Sequence, residues 1–119
     1  MVQEFSVAIS KKRRAIENIE EDCYKRRLKK EMFEEFLMDF KKMHQHEREL
    51  LEEEHHLYKG TEFTSHVDQK LDTLEDNHFS VYRKLLHTQE DFDKELDLKT
   101  QEKGRLEKEL VSLQKEARP

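Results

Sequence analysis

Glycine, proline and cysteine are nearly missing from this chain: its 119 residues hold two, one and one of them, and no tryptophan. So little turn chemistry excludes a multi-stranded fold, which needs Gly, Pro, Asn or Asp at its reversals. A lone cysteine, Cys23, excludes a disulfide framework within the chain. The longest unbroken apolar runs are three residues, Val7-Ala8-Ile9 and Phe36-Leu37-Met38, whereas a membrane-spanning helix requires about 20. The opening residues, Met-Val-Gln-Glu-Phe, carry neither the cationic flank nor the apolar stretch of a signal peptide. The expectation is a cytoplasmic chain with no membrane span, co-exported without a cleaved leader if it leaves the cell at all.

Charge is what the chain has in abundance. Asp and Glu number 28 against 23 Lys and Arg, a net charge of −5, and charged residues make up 43% of the sequence against 34% hydrophobic. Glu, Lys, Arg and Leu in quantity, with almost no Gly or Pro, are the composition of long helices. Phe, Leu and Ile recur at regular intervals, which separates the chain from disordered segments of similar charge. At this length one domain is expected.

A spacing that alternates four and three runs through Phe5, Ile9, Lys12, Ile16, Ile19, Cys23, Arg26, Lys30, Phe33, Leu37 and Phe40. This is the heptad seam of a helix packed on another, with a polar stretch at Arg26 to Lys30. From Phe36 a second register reads Phe40, Met43, Glu47, Leu50, Glu54 and Leu57. The pattern breaks at Tyr58-Lys59-Gly60-Thr61, where Gly60 suits the left-handed position past a helix end. Thr64 or Ser65 can cap the next helix, Ser65 with Asp68 forming a variant capping box. The second seam is Val67, Leu71, Leu74, His78, Val81, Leu85, Thr88, Phe92, Leu96, Lys99, Lys103, Leu106, Leu110 and Leu113, with a four-four stutter at Thr88-Phe92-Leu96. Gly104 lies off that seam. These signals predict an all-α chain, 1–119, forming one hairpin of two long antiparallel helices. Helix one covers about 3–58, the turn 59–64 and helix two about 65–117. The competing arrangement is two helices that do not fold back and pair with other chains in a parallel coiled coil.

In the hairpin, position i is expected to face roughly 123 − i, which sets Phe36 and Phe40 across from the stretch Val81 to Leu86. There Phe33, Phe36, Leu37, Phe40 and Met43 of helix one meet Phe79, Val81, Tyr82, Leu85 and Leu86 of helix two. A two-helix seam uses about two positions per heptad, so this apolar surface exceeds what a hairpin can bury. At about 25 cal/mol per Å², covering it stabilises enough to imply a helical partner, either a second copy or a different protein. The plainer alternative is that Phe79 and Tyr82 merely cap the seam edges. The basic clusters Lys11-Lys12-Arg13-Arg14 and Lys25 to Lys30 lack interleaved aromatics and sit in an acidic chain, so a solvated face or an acidic protein partner is read in preference to nucleic acid.

Chemistry has few footholds. Two Glu-x-x-His pairs, Glu53/His56 and Glu75/His78, have the spacing of carboxylate-bridged metal sites, but that spacing arises readily in a chain this rich in Glu and His. His44, Glu47 and His78 are instead expected to form a polar layer fixing helix register. No metal or cofactor is expected. Cys23 reads as a small core residue, and no phosphate loop or nucleophile arrangement is present, so the chain is read as a non-enzyme.

A helical hairpin of this length with Tyr58-Lys59-Gly60 at its bend resembles the WXG-type proteins of type VII secretion, with Tyr in place of Trp. The charged second helix, Tyr82-Arg83-Lys84-Leu85-Leu86 through Glu107-Lys108-Glu109-Leu110, resembles the small LXG-associated α-helical proteins encoded beside LXG toxins in Gram-positive bacteria. No Tyr-x-x-x-Asp/Glu export signal follows helix two. The resemblance implies a targeting factor or chaperone that binds the helical N-terminal domain of a toxin, alone or with a second small helical protein that carries the signal. The competing class is a structural coiled coil, such as a homo-oligomeric scaffold or a stalk-like export protein of type III secretion.

Overall fold

The computed structural model describes residues 2–118. Its two helices are α1, Val2–Tyr58, and α2, Thr64–Ala117, and no strand occurs among the described residues. The helices are shared by two compact units: unit 1 is Met1–Glu31 with Asp91–Pro119, and unit 2 is Met32–Glu90. Within each unit the two helical segments run antiparallel, as a chain of this spacing dictates.

The reversal is built on one carbonyl. Tyr58 O accepts from Thr61 N at 2.9 Å and from the hydroxyls of Thr61 and Thr64, each at 2.6 Å, so the last orphan acceptor of α1 is met locally. Gly60 takes the left-handed conformation, φ 83°, as a helix end of this kind requires. The start of α2 departs from expectation. Phe63 O receives the N–H of Val67 at 3.1 Å, so α2 begins one residue early and Ser65 lies inside it. The Ser65–Asp68 box does not form: the Asp68 carboxylate sits 2.8 Å from His55 Nδ1, since an acid beside an imidazole is a stronger pairing than a cap on a helix already closed by Phe63.

Register follows the expected rule. Lys30–Asp93 and Lys103–Glu20 in unit 1, and His55–Asp68 and Arg48–Glu75 in unit 2, all satisfy i facing 123 − i. In unit 1 the seam is dry at Ile16, Ile19, Cys23 and Leu106, with Ala15, Leu96 and Leu110 packed against them. Its polar positions are not weak points. Lys12, Arg26 and Lys30 of α1 reach Glu109, Glu95 and Asp93 of α2, while Lys99 and Lys103 reach back to Asp22 and Glu20. Each cation lays its aliphatic stem along the seam and its charge at the rim. At such exposure each pair is screened by solvent and contributes little; their common effect is to penalise any slip of register.

Two details of the seams are corrected. All eleven α1 positions of the Phe5 register are buried or half-buried, and that register continues through His44, Leu51 and Glu54. It does not hand over to the Phe36 register, whose Phe36, Met43, Leu50 and Leu57 remain exposed. In α2, Tyr82 and Gln89 are half-buried while Val81 and Thr88 are exposed. The four-four step therefore falls at Leu74-His78-Tyr82, not at Thr88-Phe92-Leu96.

The two glycines separate cleanly by stability. A Cβ at Gly104 meets nothing within 4 Å, so Gly104→Ala is expected to raise unfolding free energy by about 1 kcal/mol. Gly60→Ala, forced to a positive φ, is expected to lower it by about 1 kcal/mol. Paired denaturant titrations check both signs.

Candidate functional site

Unit 2 holds the predicted partner-binding residues. Its seam replaces aliphatic layers with stacked rings. The stutter turns both His78 and Tyr82 inward, four residues apart, opposite Phe40 and His44, which are also four apart on α1. His78 consequently stacks on Phe40 (centroids 5.2 Å apart, planes 7°), on His44 (3.5 Å, 20°) and on Tyr82 (5.5 Å, 12°). Lys41 Nζ lies 5.2 Å from the Tyr82 ring centroid, a cation–π contact.

The expected polar layer is realised by His44 and His78, while Glu47 lies exposed at its margin. His44 Nε2 is 3.6 Å from Glu75 Oε1, too long for a hydrogen bond, and Nδ1 of both imidazoles has no hydrogen-bond partner. Burial pushes the His78 pKa below 6.5, the nearby His44 pushes it the same way, and Glu75 opposes them. Stacked rings present faces rather than lone pairs to one another. Among the described residues no group of three His, Cys, Asp or Glu is placed to hold a metal ion, and Glu53 and His56 are both exposed.

The nine predicted residues do not form one surface. Leu37 is buried, and Phe33, Phe40, Tyr82 and Leu85 are half-buried in the seam; Phe36, Met43, Phe79 and Leu86 are exposed. The exposed four divide between two edges of the helix pair. Met43 lines a groove of about 190 Å³ with Phe40, His44, Leu74, Asn77 and Val81. Phe36, Met43, Leu50 and Leu57 are spaced by seven and are 53%, 55%, 48% and 76% exposed, so they form a continuous apolar stripe along this Met43 edge. Arg48 pairs with Glu75 on the other edge. Phe79, one turn beyond Glu75, and Leu86, seven further, stand there. Leu50 and Leu57 extend the site beyond the nine; their heptad spacing with Phe36 is the sequence signal for them.

No family model, curated protein or solved structure matches the chain.

The displaced pKa of His78 fixes a pH dependence. The unfolded imidazole holds a proton more tightly than the folded one, so unfolding takes up a proton as pH falls below 6.5. The contribution is complete above 6.5 and is lost as pH falls through the folded value. His44, Glu47, Glu75, Arg48, Lys41 and Tyr82 are the charged or titratable groups around it. His78→Phe keeps the stack and removes the proton site, so its melting temperature is expected to fall less than the parent's between roughly pH 7 and pH 5. Equal acid sensitivity contradicts this assignment.

Proposed function

We propose that the protein is a non-enzymatic helix-docking protein, using unit 2 to seat another helical chain. One observation carries this reading: the stripe Phe36, Met43, Leu50 and Leu57 repeats every seven residues and stays exposed in the lone chain. That repeat is one of the two apolar positions of a coiled-coil heptad. A groove beside it, floored by Phe40 and His44 and walled by Leu74 and Val81, gives an incoming helix two lines of contact, as in helix-in-groove recognition. Exposed stripes of this kind mark interaction sites more than isolated apolar residues do.

The resemblance to LXG-associated helical proteins of type VII secretion supplies the class of client. On that reading the chain is a targeting factor or chaperone that binds the helical N-terminal domain of an LXG toxin and presents it for export. It would act alone or with a second small helical protein that bears the signal. A helical client suits an apolar edge of unit 2.

Co-expression with the product of a neighbouring toxin gene tests it. The parent chain is expected to co-purify with the toxin's N-terminal domain. Phe36→Asp combined with Leu86→Asp is expected to retain helical circular dichroism and lose capture at least tenfold, since burying either carboxylate costs several kcal/mol. The single variants report which edge the client uses. Unchanged capture by the double variant overturns the proposal.

A further inference from the structure

We infer that the Met43 edge of unit 2 is self-complementary and is covered by the same edge of a second copy, with the two turns at the same end. The inference rests on the proposed helix docking only in that both need apolar surface left uncovered by the lone chain. It deepens that reading by naming the helix that seats on the Met43 stripe as one from a second copy, and leaves the Phe79 edge for a toxin client.

Exposed apolar surface is the first argument: Phe36, Met43, Leu50 and Leu57 stand 53%, 55%, 48% and 76% exposed along one edge of unit 2.

Register and charge choose the occupant and its direction. A two-fold axis parallel to the helices leaves axial level unchanged and sets α1 of one copy on α2 of the other. Any α1 residue i then meets position 123 − i, or its neighbour, of the second copy. This places Met43 against Val81 and Leu50 against Leu74, apolar on apolar. It also places Asp39 against Lys84 and Glu54 against Lys70. These four charges take part in no ion pair among the described residues, so they are available for pairing between copies. The reversed arrangement, α1 on α1, matches Met43 with Leu50 and Phe36 with Leu57. It also sets Glu54 against Asp39 and Lys70 against Lys84, like on like at both ends of the interface, which costs affinity and excludes that pairing. In the favoured arrangement every neighbouring helix is antiparallel, as in a four-helix bundle.

Sedimentation equilibrium on the purified chain, without any client, provides the test. At tens of micromolar the mass is expected at twice 14.6 kDa. Glu54→Lys and Lys70→Glu are surface changes expected to keep full helicity. Each creates two like-charge contacts by symmetry and is expected to weaken the dimer about tenfold or more. An equimolar mixture of the two variants restores both contacts and is expected to recover parental affinity as a heterodimer, read by a mass tag on one of them. Phe79→Asp is expected to leave the dimer intact. A chain monomeric at these concentrations, or a mixture no tighter than either variant alone, overturns the inference. A monomeric chain that still captures its client overturns this inference alone, whereas a dimer that captures none overturns only the proposed client binding.

Discussion

A helix in a two-stranded pair hides about two of every seven side chains, and that limit governs both halves of this molecule. Unit 1 respects it. Ile16, Ile19, Cys23 and Leu106 fill the seam, and the positions between them are cations whose stems lie inward and whose charges meet carboxylates on the opposite helix. Unit 2 exceeds it. Its seam is already occupied by Leu37, Val67 and a stack of rings, so the additional Phe, Met and Leu side chains have nowhere to go but the edges. That asymmetry is what supports the proposal that unit 2 is the site of association.

The hairpin, its turn and its register were legible in the sequence because each rests on a local rule. Heptad spacing placed every buried residue of unit 1, and Gly60 alone in a long glycine-free stretch marked the reversal. What was not legible has a physical cause in each case. Around Phe36, Leu37 and Phe40 two registers satisfy the same spacing, and apolarity alone favours the one through Met43 and Leu50. The chain buries the other, through His44, Leu51 and Glu54, because His44 gains a stacking partner in His78 that no count of apolar residues anticipates. The stutter was misplaced for the same reason: Tyr82 is drawn inward by the ring it covers, and Val81 is turned out.

The candidate site shows a further gap between pattern and geometry. Facing positions fix the axial level of a side chain but not the side of the pair on which it stands. Phe36 and Leu86 are close in level, yet the groove through Met43 and Val81 and the Arg48–Glu75 pair put them on opposite edges. One broad patch in the sequence is two narrower surfaces in the structure, which is why two occupants suit it better than one.

Methionine oxidation tests the Met43 edge directly. Met38 and Met43 are 58% and 55% exposed in the lone hairpin, so with no association they react with a footprinting oxidant at nearly the same rate. Hydroxyl-radical labelling of the purified chain at tens of micromolar, read by mass spectrometry, is expected to oxidise Met38 several-fold faster than Met43. Equal rates for the two methionines would contradict the claim that the apolar stripe of unit 2 is an interface.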